Sequence, residues 1–385
     1  MEELVYRGSP EEQARILFAL KDAARSVAEK TGLSDGDAVV LTGGFGRGEG
    51  ALLREPGCEG RPFNDFDILI VGARPAVPDG VLAGLKSDLA AAMDADYVDL
   101  GYIRASGLAG AEPTVFLYEL KAGSRVLWGS ERALDAVPDF RPSDLPLTEG
   151  TRFFLNRGLS LISLLLAIER GEDTVALRKS AATAWSKAVL AAGDALLLER
   201  KLYHWSCETR VQRMEEVGGG LGGSGFAREY RDAAFFKLTA DFGRLPSHDP
   251  LELFVEARSL HERHFGPFEE RRTMTSISDW RDYPAAVVRA GLIPVRRRLK
   301  ESVLALARNA LSPGEVARLA RLPLVGEERR LALLPLVLYA VRGRADQSLE
   351  RGYVEAACRI ELGRTGGGAD DWTFLATRLA AGAHT

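Results

Sequence analysis

Asp65 and Asp67 stand two apart in the segment NDFDILIV (64–71), and the apolar run that follows reads as a buried strand. Alternate residues of a strand project from one face, so the two carboxylates share a side of the sheet. Like charges held this close repel and raise each other's pKa unless something positive lies between them. A divalent cation is the usual compensation. Oxygen-only donors suit Mg²⁺, which keeps several waters and pairs with substrate phosphates. Asp99 lies in a further apolar segment, DYVDLGYI (96–103). If that segment is the neighbouring strand, three carboxylates converge. The third completes a second metal position and can accept the proton of an attacking hydroxyl. Upstream, GGFGRGEG (43–50) follows the short apolar stretch Ala38–Leu41. Gly43 and Gly44 let a backbone approach a phosphate closely, and a helix opening there offers unpaired N–H donors. Arg47, in the first turn of a helix expected over about 47–54, could add charge-assisted bonds to a triphosphate.

The elements that must position these residues are legible in outline. Ile16, Leu17, Leu20 and Ala24 fall on one helical face of residues 11–30, and Gly32 follows as a stop. Strands are expected at 38–41, 66–71 and 97–103, with an alanine-rich helix over about 79–93. A Pro/Gly-containing loop separates Glu49 from Asp65, and the apolar segment Val115–Leu120 precedes KAGSRVLWGSE. Beyond about residue 148 the periodicity is helical throughout, in 155–169, 175–200, 208–217, 226–239, 251–265, 285–310 and three later segments. GGGLGGSG (218–225) reads as a flexible loop and lacks the pattern of a P-loop. The expected class is therefore α+β. An N-terminal domain of mixed sheet and helices (1–147) precedes an all-α helical bundle (148–270) and a further C-terminal helical domain (271–385).

With 385 residues the chain is long enough for two or three cores. A hydrophobic fraction of 46% and a charged fraction of 27% are ordinary for a soluble globular protein. The net charge of −4 gives no global attraction to nucleic acid or to anionic membrane. The start, MEELVYRGSPEEQ, lacks the pattern of a secretory signal. The longest apolar stretches, near 159–168 and 331–341, are about half of a spanning helix. Cys58, Cys207 and Cys358 are few, scattered and odd in number, which fits a reducing cytoplasm and neither a disulfide framework nor a zinc site. The expected location is cytoplasmic, with no membrane partner.

The glycine turn, the Asp-x-Asp strand and a third acid on a later strand resemble the nucleotidyltransferases of the DNA polymerase β superfamily. GGFGRGEG with NDFDILIV is especially similar to the catalytic core of bacterial PII uridylyltransferases, and the likeness covers roughly residues 38–104. YELKAGSRVLWGSE (118–131) looks like the end of the catalytic domain in small-molecule and minimal nucleotidyltransferases. The resemblance implies a polymerase β-like fold for the N-terminal domain, with two Mg²⁺ ions (or Mn²⁺) as cofactor. Asp65 and Asp67 would bind both ions, Asp99 would bind one and act as base, and Gly43 and Gly44 would cradle the triphosphate. Two departures stand out. Gly44 replaces the serine of many relatives, and the spacing from Glu49 to Asp65 is longer than usual. In relatives with an appended helical domain a basic residue on an early bundle helix reaches the β- and γ-phosphates. Lys179 and Lys187, eight apart, are the candidates here.

The function this implies is transfer of a nucleoside monophosphate from an NTP, ATP favoured, to an acceptor hydroxyl, with pyrophosphate leaving. A small hydroxylated acceptor in a cleft between the catalytic and helical domains comes first. A protein acceptor (AMPylation or UMPylation) is the enzymatic rival, although the HD and ACT domains of the uridylyltransferases are not evident. A non-catalytic nucleotide-binding or interaction protein on the same scaffold is the third reading. A strand-end Asp-x-Asp taken alone is also a turn cap or a solvated edge. Glu49 reads equally as a support for Arg47 or the metal site and as a surface acid. His261 and His264 in HERH lack a third metal ligand nearby. His204 with Tyr203 and Trp205 reads as a packed helix terminus or an acceptor contact, Trp128 and Trp185 as core, and Arg296–Arg298 with Lys300 as a solvated helix face.

Overall fold

The computed structural model describes the chain except residues 1–2, 55–56, 74–76, 172–173, 222, 293–323, 325, 346–347 and 382–385. It is α+β, with thirteen helices and one four-stranded mixed sheet among the described residues. The chain packs as two units. The first comprises 1–146 and 200–244, the second 147–199 and 245–385. This differs from the linear three-part division expected from the sequence. Residues 200–244 return to the N-terminal unit, and 271–385 share a unit with 147–199.

In the first unit α1 (Pro10–Thr31) is set by its ends. Ser9 accepts from the Glu12 N–H while Glu12 Oε2 accepts from Ser9 N at 2.8 Å, and Gly32 closes the helix at φ 65°. Its buried face carries Ile16, Leu20, Ala24 and Val27. The sheet consists of β1 (Ala38–Thr42), β2 (Phe66–Gly72), β3 (Val98–Arg104) and β4 (Arg125–Gly129) in the order β3-β2-β1-β4. β1 runs antiparallel to β2 and to β4, whereas β2 and β3 are parallel. The parallel pair is joined through α3 (Asp79–Ala92), as a parallel connection requires. Strand alternation then sorts the side chains. Phe66, Ile68, Ile70, Val98 and Leu100 join one apolar cluster with residues of α1 and α3. Leu69 and Val71 join another with Leu117 and Leu120 of α4 (Val115–Gly123).

Between β1 and β2 the helix expected over 47–54 is absent. A single turn, α2 (Gly43–Gly46), opens four residues earlier. Gly48 at φ +77° cannot continue a right-handed helix, and the chain leaves through bridges of Gly50 to Val5 and Leu52 to Pro62. Further along, α7 (Cys207–Leu221) and α8 (Gly223–Thr239) run through most of the glycine-rich stretch 218–225, so its described residues are helical rather than a loop.

In the second unit, α5 (Thr148–Arg170), α6 (Thr174–Glu199) and α9 (Pro250–Thr273) pack on one another. α10 (Tyr283–Ala290), α11 (Gly326–Leu338), α12 (Arg351–Glu361) and α13 (Ala369–Ala381) complete the described part. α5 and α6 are longer than the apolar stretches picked out in the sequence, and by length and composition either could cross a membrane. In the folded chain 61% and 83% of their apolar windows are buried, as core helices are. The cluster Arg296–Arg298 with Lys300 lies outside the described residues.

Candidate active site

The parallel pairing of β2 with β3 sets Asp67 opposite Asp99, Cα partner to Cα partner. Neighbours in register point to the same face, so both carboxylates leave the sheet on one side. It is the side of Leu69 and Val71, away from α1. Asp65 lies one residue before β2 and is exposed, and the period of two puts it on that same side. β1 brings the glycine turn alongside, since Thr42 pairs with Asp67 and the Thr42 hydroxyl donates to the Asp67 carbonyl at 3.3 Å. Gly43, at φ +62°, then lies directly under the Asp67 carboxylate, where a methyl group would overlap its Oδ2. Gly44 differs. A Cβ there meets nothing closer than the Glu49 carbonyl at 3.6 Å, so the position has room for the serine it lacks.

Asp99 carries a partner that the sequence did not announce. Lys86 of α3 reaches round the edge strand and places its Nζ 3.0 Å from Asp99 Oδ1. Burial pulls the Lys86 pKa down, but the hydrogen bond and charge of Asp99 outweigh it and the net shift is upward. The ion pair is half open to solvent, with side-chain exposures of 29% and 55%. No spacing rule links positions 86 and 99, because the contact depends on α3 crossing behind the edge of β3.

Arg47 stands apart from the role expected for it. Its guanidinium is buried and faces Glu49 at 3.1 Å and Glu119 of α4 at 2.9 Å. Burial opposes its charge, but the two carboxylates more than compensate, and its pKa is raised. Glu119 also accepts from the Tyr203 hydroxyl at 2.7 Å and lies 3.6 Å from Arg210 of α7. Glu49 accepts from the Cys207 N–H at the start of α7. Burial pushes the Glu49 pKa up, while Lys237, Arg47 and Arg210 bring it down further, so it is held as a carboxylate. This network fastens the glycine turn to α4 and α7. Arg47 is thereby committed to carboxylates of its own chain rather than presented to a triphosphate. Glu119 and Arg210 are the members that sequence reasoning missed, and Tyr203 was read only as a packed helix terminus or an acceptor contact. The links join residues far apart along the chain, 72 for Arg47–Glu119 and 84 for Glu119–Tyr203.

Lys179 and Lys187 both lie on α6, in the second unit, with Lys187 exposed. His204 Nδ1 accepts from Ser206 N at 3.0 Å, and Arg210 donates to the carbonyls of His204 and Trp205, a packed approach to α7. Trp185 is buried and donates to Glu256 at 3.2 Å, and Trp128 is partly buried against the sheet core. His261 is a core residue whose ring bonds Tyr339 and Phe154. The three cysteines are free.

A hard divalent cation suits the donors Asp65, Asp67 and Asp99 in kind, all being carboxylate oxygens, and in register. Among the described residues no three acidic, histidine or cysteine side chains already form a closed ligand set. For Asp99 the reason is visible, since Lys86 holds its carboxylate and would have to yield it. No family model matches the chain, and no curated protein matches it.

Proposed function

We propose that the first unit transfers a nucleoside monophosphate from an NTP to an acceptor hydroxyl, with pyrophosphate leaving. One observation carries this reading above the others: Asp67 and Asp99 are register partners on parallel strands, with Gly43 closed against the Asp67 carboxylate. Two aspartates held side by side in register repel each other at a cost, and the resemblance of the motif supplies a use for them. Asp65, Asp67 and Asp99 would hold Mg²⁺, which supplies positive charge for the phosphates and the leaving group. Within the chain, the glycine turn lies close to where a triphosphate would approach, and Asp99 takes the proton from the acceptor hydroxyl as it attacks the α-phosphorus. Transfer of this kind rests on positioning and charge stabilisation more than on covalent chemistry by the protein. The Arg47–Glu49–Glu119 network contributes by fixing the turn.

ATP is the donor we favour and a small hydroxylated molecule the acceptor, in a cytoplasmic setting. A protein acceptor is the second enzymatic reading. The Lys86–Asp99 ion pair is the observation that favours a third, a nucleotide-binding protein without turnover, because an ammonium already neutralises the third carboxylate. Pyrophosphate release measured with each NTP in Mg²⁺ across an acceptor panel separates these readings. Release lost in Asp65→Ala/Asp67→Ala supports transfer. NTP binding without release under any acceptor supports the third reading.

A further inference from the structure

α11, α12 and α13 line a half-open pocket of about 250 Å³ within the second unit. Its two kinds of lining are segregated by helical spacing. Leu333 and Val337 of α11 and Leu375 and Leu379 of α13 form an apolar wall. Arg329 and Arg330 stand one turn before Leu333, and Arg378 stands beside Leu379. One carboxylate, Glu361 at the end of α12, lines the pocket with them. It is 6% exposed and already shared, with Arg329 Nε at 2.9 Å and Arg378 Nε at 3.0 Å. Arg330 is left over. Its Nε is buried and has no hydrogen-bond partner among the described residues. A buried donor without an acceptor costs free energy, which an anionic ligand drawn to that guanidinium would offset.

We propose that this pocket binds a small amphipathic monoanion, a medium-chain or aromatic carboxylate. Its head is taken by Arg330 and its body lies along Leu333, Val337, Leu375 and Leu379. Arg330 selects the sign, since its buried Nε has no hydrogen-bond partner among the described residues while Glu361 is held by Arg329 and Arg378. Guanidinium recognises a carboxylate with paired, directional hydrogen bonds. The volume selects the size. It equals roughly eight waters of liquid at ~30 Å³ each, below the range of drug-sized sites. The mainly apolar lining favours an organic acid over a bare inorganic anion.

The test is calorimetric titration of the full-length protein with octanoate, octylamine and octanol, repeated on Arg330→Gln and Arg330→Lys. The expected result is one saturable site for octanoate, binding of octanol about tenfold or more weaker, and none for octylamine. Arg330→Gln should weaken octanoate by a similar factor and Arg330→Lys by less. No saturable octanoate binding, equal binding of octylamine, or undiminished affinity in a folded Arg330→Gln would each overturn the proposal. The three-ligand comparison on the unaltered protein decides the sign of the site even if a variant fails to fold.

Discussion

Gly43 and Gly44 are adjacent and chemically identical, yet the fold asks different things of them. Gly43 combines a left-handed backbone with the Asp67 carboxylate where its Cβ would stand, whereas a Cβ on Gly44 would make only ordinary contact with the Glu49 carbonyl. Gly43→Ala should therefore lower stability by about 1–2 kcal/mol from backbone strain alone, and more once Asp67 is displaced. Gly44→Ser should stay within about 0.5 kcal/mol of the parent. Chemical denaturation of both variants checks the contrast, and equal effects would show that the turn is not built as described. Lys86 invites a second substitution. Its ion pair with Asp99 is partly exposed, so Lys86→Met should cost less than about 1 kcal/mol. Removing the ammonium should also tighten Mn²⁺ binding, seen by paramagnetic relaxation of water. Unchanged or weaker Mn²⁺ binding would mean that Lys86 does not compete for Asp99.

β1 and β2 were legible in the sequence as apolar runs that stop at Gly43 and Gly72, β3 as an apolar segment after Asp96, and α3 as an alanine-rich stretch that opens after Pro78. The Asp-x-Asp spacing was legible for the same reason, since a period of two needs no partner to be read. What stayed hidden depends on pairing over long separations. Neither Lys86 on Asp99 nor the links of Arg47 to Glu119 and of Glu49 to Cys207 leave a local mark. The short α2 was misplaced because Arg47–Arg54 has helical composition, but the glycines at 48 and 50 decide the backbone. Arg47, expected at the triphosphate, is instead the centre of a buried ion network. Removing one partner of such a network strands charge in the interior, so Arg47→Ala should destabilise the first unit by about 3–5 kcal/mol. Thermal unfolding followed by circular dichroism reads this, and a loss below about 1 kcal/mol would demote the network to a surface feature.

The chain passes from the first unit to the second and back before ending in the second. A cut at 147 therefore severs α7 and α8 from the sheet they belong with. Fragment 1–147 loses the Cys207 N–H that satisfies Glu49, the Tyr203 and Arg210 groups on Glu119, and the Phe236 and Phe242 rings packed on Phe63. It should fail to unfold cooperatively, and a sharp transition in that fragment would contradict the division. The second unit carries two strongly shifted histidines. Burial pushes His261 and His264 down to about 4 from an ordinary value of 6.5. Phe154 O can only accept, so His261 Nε2 donates to it and Nδ1 accepts from the Tyr339 hydroxyl, an arrangement that needs the neutral ring. Between pH 6.5 and 4 the unfolded chain binds protons that the folded one refuses. The stability from these rings is fully present above pH 6.5 and is lost as pH falls toward 4. Unfolding midpoints measured from pH 7 to 4 should fall, and His261→Gln should flatten the slope.

The central claim concerns the three carboxylates of the first unit, and titration of the protein with ATP, GTP, CTP and UTP meets it most directly. It would be run with and without Mg²⁺ and repeated on Asp65→Ala/Asp67→Ala. The account predicts Mg²⁺-dependent binding of one NTP that the double substitution abolishes while the unfolding midpoint stays near that of the parent. Absence of NTP binding, or binding indifferent to both metal and substitution, would contradict it and leave the paired aspartates as a feature of the sheet alone.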